Sequence, residues 1–241
     1  MFKFPGNAIT SHWQILTKNQ AWILIASALL LEIPIRWIVR PDIPFMFPGN
    51  PWFNLPLRIA VEAGMILILL IVAYLARVPL KSTGLSWRRW TRWEVVAFVI
   101  VGSIQLLIVI LVAGERWPRI FTAGILGHGL LWAFAEFLFG FNQESGFRGL
   151  LMTGLLRLRG FYPAVLINTF FFLVGPIHGP GLVGLFQRNV EGALWMMAGI
   201  IMTGLFFSWL RYRTDNLILV GSLHGIVNGF LNGAAFTLRA N

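Results

Sequence analysis

A polar cluster inside the apolar run from Thr122 to Leu158 is the stretch of this sequence best equipped for chemistry. It reads Asn142-Gln143-Glu144-Ser145-Gly146-Phe147-Arg148-Gly149-Leu150. A carboxylate, an amide and a guanidinium inside a helix of hydrocarbon length are expensive to bury, so they are more often functional than decorative. Glu144 and Arg148 are four residues apart, and an ion pair within one helix is the structural alternative for these two.

Two further polar positions follow in the next apolar runs. His178 stands beside a Gly-Pro pair, and His224 and Asn228 are four residues apart on one face of the last predicted helix. At about 1.5 Å per residue, Gln143 and His178 both lie roughly 25 Å from the hairpin turn at Gly160. The pattern predicts a buried polar layer. A helix cap for the first histidine and hydrogen bonds between helices for the second are the structural alternatives.

The composition places these groups in a membrane protein. The chain has 241 residues, of which 57% are hydrophobic and 12% charged, and its mean hydropathy is +0.75. Such values lie outside the range of soluble domains. The net charge of +10 comes from Lys and Arg set singly between apolar runs, without the basic stripe that nucleic acid requires. With no cysteine, a disulfide framework, a thiolate nucleophile and a Cys-based zinc site are excluded.

About seven apolar segments are long enough to carry these positions across a bilayer. In order they are Ala21–Val39, Leu57–Val78, Glu94–Ala113, Thr122–Arg159, Tyr162–Ile177, Val190–Leu210 and Asp215–Phe236. The fourth is one long helix, or two joined near Gly140, and it ends at Arg157, Arg159 and Gly160. We therefore predict an all-α, polytopic membrane bundle of seven to eight transmembrane helices. Residues 1–121 form N-terminal helices with a basic loop, and residues 122–241 form the core helices that carry the polar positions.

The distribution of Lys and Arg predicts the orientation of the chain. Under this topology eleven of them lie on the side of the N-terminus and seven on the opposite side. The N-terminus is therefore expected in the cytoplasm. The polar layer then lies nearer the non-cytoplasmic leaflet, which favours exported or surface-anchored substrates. Glu32 interrupts the first span, and pairing with Arg36 one turn later is the simplest way to bury it.

Taken together, the polar cluster and the two polar positions that follow it resemble the motifs of the CPBP family of intramembrane endopeptidases, also called the ABI or CAAX-protease-like family. That family carries Glu-Glu-x-x-x-Arg, Phe-x-x-x-His and His-x-x-x-Asn/Asp. The resemblance covers Thr122 to Phe236, and the corresponding residues are Gln143-Glu144-x-x-x-Arg148, His178 and His224-x-x-x-Asn228. It implies hydrolysis of a peptide bond in a membrane-anchored protein or peptide. It also implies a bacterial or archaeal cell membrane as the location, with the lipid bilayer as surroundings and no nucleic acid partner.

Residue roles follow from the resemblance position by position. Gln143 holds the place of the carboxylate that activates water, and His178 assists it. His224 and Asn228 donate to the developing oxyanion. Arg148 supports the site, and Glu144 is the second catalytic residue of the first motif. We do not expect Glu144 to replace the missing base, because it points about 100° away from Gln143 on a helix and an ion pair with Arg148 would neutralise it.

Two positions depart from the family pattern. Val174 stands where the family has Phe, which changes packing. Gln143 replaces the first Glu, and an amide cannot accept a proton. Loss of a general base costs about two to four powers of ten in rate, so we predict that the chain binds substrate but cleaves it poorly, and that Gln143→Glu is active. The alternative is a non-catalytic scaffold or immunity protein that has kept the polar cavity.

No cofactor is expected. The alternative is zinc, because His178, His224 and a carboxylate would make a two-histidine, one-carboxylate set. The amide at position 143 weakens this alternative, since it removes one carboxylate. A small transporter would require internal repeats and broken helices in two halves, and the sequence has no such symmetry.

Overall fold

The computed structural model describes residues 12–38, 55–85, 90–114 and 123–239. Over these residues the chain forms helices and turns without a strand. The all-α prediction is confirmed for this part of the chain. The predicted proline-rich connection from Pro41 to Pro56 and most of the turn from Gly114 to Arg119 lie outside the described residues.

The α-helices follow one another along the chain with few long connections. In order they are α1 (Lys18–Leu30), α2 (Leu55–Leu75), α3 (Arg92–Ala113), α4 (Ala123–Glu144), α5 (Met152–Arg159), α6 (Phe161–Val174), α7 (Gly179–Phe186), α8 (Val190–Thr214) and α9 (Leu217–Arg239). A π-helical turn, Leu31–Ile35, and a short α-turn, Arg36–Ile38, extend α1. A second π-helix, Ser145–Leu151, joins α4 to α5, and two 3-10 turns lie at His12–Ile15 and Leu80–Thr83.

Side-chain caps explain where several helices begin. Thr17 and Thr91 each accept a hydrogen bond from the backbone of the third residue of the helix, and the Gln20 or Glu94 side chain at that position accepts one in return. This capping box satisfies two otherwise unpaired backbone donors. The helices therefore start two or three residues before the predicted spans. The predicted stop at Arg159 is confirmed, and Gly160 has a φ of +77° between α5 and α6.

The described residues give fewer candidate spans than the sequence predicts. Lys18–Ile38, Leu55–Leu75 and Val190–Thr214 are long and apolar enough to cross a membrane, and α6 with α7 makes a fourth if this pair, bent by 62°, is one span. Helix α6 ends at Val174, because Gly175 and Pro176 follow it. The chain is thus an all-helical protein with three or four candidate spans in its described part. The total of seven to eight stays a prediction.

The helices form two compact units that interleave along the chain. The first contains the described residues within 12–38, 67–85 and 145–217, and the second contains those within 55–66, 90–114, 123–144 and 218–239. In the first unit, α6 packs on α8 and α1 packs on α5 and on the π-helix before it. In the second, Leu55 of α2 packs on Trp132 and Ala135 of α4. The division of function at residue 121 remains a prediction.

Several arginines counted as surface charges are buried. Arg36 and Arg58 are 0% and 6% exposed, and Arg211 is 1% exposed beside Asp215. Burial requires a partner, and Arg36 lies 3.7 Å from Glu32, which confirms the predicted pair. Without these buried arginines, the number of Lys and Arg residues on the side opposite the N-terminus falls from seven to five. On the N-terminal side it falls from eleven to ten. The asymmetry that predicts a cytoplasmic N-terminus becomes larger.

Candidate active site

Helices α4 and α9 cross at very short distance because α9 carries glycine at every fourth position. A Cβ atom on Gly221 would lie 2.6 Å from the Phe141 ring, and one on Gly225 would lie 2.7 Å from the carbonyl oxygen of Phe137. Real Cβ atoms do not approach so closely, so these positions require glycine. The third glycine, Gly229, meets the α4 backbone in the same way. Small residues at this spacing let membrane helices pack backbone against backbone.

Gly140 is part of this crossing rather than a break in the helix. A Cβ atom at Gly140 would lie 2.9 Å from Gly225 Cα, whereas helix α4 continues unbroken to Glu144. Of the two predicted alternatives, a join near Gly140 is therefore wrong. One long helix is closer, because helical structure continues through the π-helix Ser145–Leu151 to Arg159. Short π-helical segments within α-helices occur frequently at functional sites, and this one begins directly after the Gln143-Glu144 pair.

The crossing brings Glu144, the second acidic position of the first motif, next to His224, the first residue of the third motif. His224 Nδ1 lies 2.7 Å from Glu144 Oε1, and the two residues are 7% and 0% exposed. Asn228 follows one turn later on the same face of α9 and is half-buried. When Nδ1 is the donor of this contact, the carboxylate oxygen of Glu144 is the acceptor. The structure thus joins Glu144 to His224 inside the second unit.

Gln143 is buried beside this pair in the chain. It is 1% exposed, and its Oε1 has no hydrogen-bond partner among the residues that the structure describes. A buried polar atom left unsatisfied costs about 1–3 kcal/mol.

Two buried polar contacts of this unit were not predicted. Asn142 Nδ2 donates to Glu62 Oε2 at 2.7 Å. Arg58 makes an ion pair with Glu136, and its guanidinium lies 4.8 Å from the centre of the Trp132 ring. A signal for both exists in the sequence, because Arg58 and Glu62 are one turn apart in an apolar helix. However, both residues lie near the end of that apolar run, where charged side chains are expected at the membrane surface, and their contacts were therefore missed.

His178 lies in the first unit and is held through Phe172. Its Nδ1 is 2.9 Å from the Phe172 carbonyl oxygen, and the two rings are 4.5 Å apart. Because a carbonyl oxygen only accepts, Nδ1 carries the proton and Nε2 of the neutral ring is the acceptor. The family position before it, Val174, is 48% exposed. Phe172, two residues earlier, packs against the imidazole instead.

Arg148 also belongs to the first unit and contacts the same aromatic ring. Its guanidinium lies 4.2 Å from the centre of Phe172, and NH2 donates to the Gly204 carbonyl oxygen at 3.3 Å. The amide of Asn168 is assigned with its oxygen 3.3 Å from Arg148 Nε and its nitrogen 2.8 Å from the Phe147 carbonyl oxygen. Arg148 is 0% exposed, so these contacts replace water around a fully buried charge.

The predicted site residues therefore fall into two groups. Gln143, Glu144, His224 and Asn228 lie on α4 and α9 of the second unit, and His178 lies in the first unit with the supporting Arg148. The 25 Å depth estimate assumed continuous α-helix, and it is wrong in detail because residues 145–151 are π-helical and α6 ends at Val174. Convergence of the two groups on one substrate stays a prediction.

The predicted zinc set of His178, His224 and a carboxylate draws on both units. Within each unit, the described residues bring together no group of three or more His, Cys, Asp and Glu side chains that would hold a metal ion. The zinc alternative and the expectation of no cofactor both stay predictions.

Comparison with known proteins identifies the segment that carries these residues. Residues 125–230, rather less than half of the chain, match a family model described as type II CAAX prenyl endopeptidase Rce1-like. No match was found among the curated proteins or the solved structures. The matched segment contains all three motifs, from Gln143 to Asn228. This segment is therefore similar to the Rce1-like family, in agreement with the resemblance of the motifs to the CAAX-protease-like family, and its apolar helices are typical of a membrane protein.

Proposed function

We propose that this chain is an intramembrane endopeptidase of the CAAX-protease type that hydrolyses a peptide bond in a membrane-anchored protein or peptide. The contact of 2.7 Å between Glu144 and His224 carries this proposal, because it joins the first and third motifs of a family whose members are proteases. The same contact is also a hydrogen bond between two helices, the structural alternative for His224, and the cleavage assays below distinguish the two.

The resemblance assigns the residues their steps. Position 143 activates a water molecule, with His178 Nε2 as its partner, and the water oxygen attacks the scissile carbonyl carbon. His224 and Asn228 donate hydrogen bonds to the oxyanion, whose stabilisation is commonly the largest single contribution in such reactions. Arg148 fixes the chain after the first motif through Gly204, Asn168 and Phe172.

Gln143 reduces the rate of this reaction. The amide keeps the shape of a carboxylate but cannot take a proton, so we expect the chain to cleave about two to four powers of ten more slowly than its Gln143→Glu variant. The same amide is the one observation that favours the second candidate function, a non-catalytic membrane scaffold or immunity protein.

Cleavage assays on the Gln143→Glu variant test the proposal. The chain, this variant and Gln143→Ala are reconstituted in vesicles and given a fluorogenic peptide with a prenylated Cys-a-a-X tail, the substrate class for which the matched family is named. A second peptide carries an acylated membrane anchor. We expect Gln143→Glu to exceed the chain as written by about 10²–10⁴ in kcat at similar KM.

Controls separate the candidate functions. His178→Ala in the Gln143→Glu background should remove the gain, because it takes away the partner of the activated water. Addition of a chelator should leave the rate unchanged, and inhibition that zinc reverses would establish a metal enzyme instead. Equal rates for Gln143→Glu and the chain as written contradict the role of position 143. Tight binding of the peptides without cleavage by any variant supports the scaffold.

A further inference from the structure

We propose that His224, oriented by Glu144, is the general base of this chain in place of the carboxylate missing at position 143. The proposal rests on the endopeptidase function and changes the roles within it. His224 Nε2 takes the proton of the attacking water, and the amides at positions 143 and 228 donate to the oxyanion. Glu144 is a positioning residue that acts through the imidazole.

The geometry of the pair supports a base rather than a donor. Glu144 Oε1 accepts from His224 Nδ1 at 2.7 Å, which places the proton of the neutral ring on Nδ1 and the lone pair on Nε2. A carboxylate that holds an imidazole by Nδ1 is the arrangement by which hydrolases orient a histidine base. A neutral imidazole held this way accepts at Nε2, and the donor role that His224 has in the Gln143→Glu variant requires a second proton on the ring.

The surroundings hold the pair rigidly. Glu144 is 0% exposed, and the glycine contacts at Gly221 and Gly225 fix α9 against α4 on either side of His224. A general base must keep its orientation through the reaction, and side chains on packed helices are held better than side chains on loops. When His224 Nε2 acts as the base, the oxyanion needs another hydrogen-bond donor. The amide nitrogen of Gln143 can donate that hydrogen bond.

The proposed step is balanced without any further reactant. One water O–H bond breaks as its proton moves to His224 Nε2, and the oxygen forms a bond to the scissile carbonyl carbon, whose oxygen becomes the oxyanion. When the tetrahedral intermediate collapses, the C–N bond breaks and Nε2 returns the proton to the leaving amine. The products are a carboxylic acid and an amine, one water is consumed, and nothing is oxidised or reduced.

The substitution Glu144→Gln, made in two backgrounds, tests the proposal. The amide nitrogen of a glutamine can donate to His224 Nδ1, which moves the ring proton to Nε2 and removes the acceptor. In the chain as written, kcat should fall about a hundredfold with KM little changed. With Gln143→Glu, where residue 143 is the base and His224 donates, the fall should be less than about tenfold.

His224→Asn provides a second measurement that does not depend on Glu144. Asparagine donates a hydrogen bond but takes no proton, so this variant should abolish cleavage in the chain as written and weaken it much less with Gln143→Glu. Monodispersity and thermal unfolding in detergent are followed for every variant. A structural role for the pair would lower kcat equally in both backgrounds, and that result would overturn the proposal.

The remaining outcomes are also decisive. If Gln143→Glu cleaves while the chain as written shows no more activity than His224→Asn, the base is absent here and the inference fails while the endopeptidase function stands. If no variant cleaves any peptide, the function itself fails and the inference fails with it.

Discussion

Arg148 is held by contacts that only a planar guanidinium makes. It donates to the Gly204 carbonyl oxygen and to the Asn168 amide oxygen, each at 3.3 Å, and its face lies 4.2 Å from the centre of the Phe172 ring. The imidazole of His178 contacts the same ring, with the two ring centres 4.5 Å apart. Through Phe172, the buried charge and the second-motif imidazole hold each other in place.

Replacement of this arginine by lysine should therefore be costly. Arg148→Lys keeps the charge but loses the planar set of N–H donors and the stacking on the Phe172 ring. Buried acceptors are then left unpaired. We expect a loss of about 2–4 kcal/mol in the free energy of unfolding, measured by thermal unfolding in detergent. Arg159→Lys is the matched control, because Arg159 is exposed at the end of α5. Equal shifts for the two variants would show that the contacts of Arg148 carry no stability.

Residue types alone revealed the candidate site but not its contacts. The carboxylate, amide and imidazoles at positions 143, 144, 178 and 224 stand out in an apolar sequence. Which histidine meets Glu144 depends on how two distant helices cross, and the spacing of residues along the sequence does not contain that crossing. Burial of Glu62 and Arg58 was missed because a charge near the end of an apolar run resembles a surface anchor.

At the scale of the helices, the α4–α9 crossing depends on the absence of side chains at a few positions. Glycine in a helix interior is destabilising by about 1 kcal/mol relative to alanine, so its recurrence on α9 requires compensation. Close backbone packing provides it, and the same packing sets the separation of Glu144 from His224.

Adding a methyl group at this crossing should lower both stability and activity. In Gly225→Ala the new Cβ would lie 2.7 Å from the Phe137 carbonyl oxygen, so the helices must move apart. We expect a loss of about 1–3 kcal/mol in unfolding free energy and a fall in kcat as the Glu144–His224 contact lengthens. The control is Gly127→Ala on α4, where a Cβ meets nothing within 4 Å. This variant should match or slightly exceed the stability of the unmodified chain.

The end of α5 was predicted correctly because its cause is local: the cationic last turn and Gly160 act within a few residues. The threonine caps of α1 and α3 are equally local, but they were not predicted, and both helices begin two or three residues before the predicted spans. The π-helix at Ser145–Leu151 and the bend of 62° between α6 and α7 arise from packing and from the backbone pairing lost at Pro176. A count of apolar residues does not contain either feature, which is why the depth estimate assumed straight helices.

At the scale of the whole molecule, orientation decides which substrates the site meets. Burial of Arg36 and Arg58 leaves fewer charges on the side away from the N-terminus than the sequence count assumed. Cytoplasmic loops carry the excess of Lys and Arg, so the N-terminus and the Leu80–Thr83 turn are expected in the cytoplasm. The connection from α6 to α7, beside His178, is then expected on the other side.

Single cysteines test this arrangement cleanly, because the chain has no cysteine of its own. Gly181→Cys and Lys81→Cys both place the thiol at an exposed position of the first unit. In sealed cells, an impermeant maleimide should label Gly181→Cys and should reach Lys81→Cys only after the membrane is opened. This result would direct the search for substrates to exported, lipid-anchored proteins. Labelling of Lys81→Cys alone in sealed cells would reverse the orientation and favour prenylated tails on the cytoplasmic face as substrates, because His178 would then lie on that side.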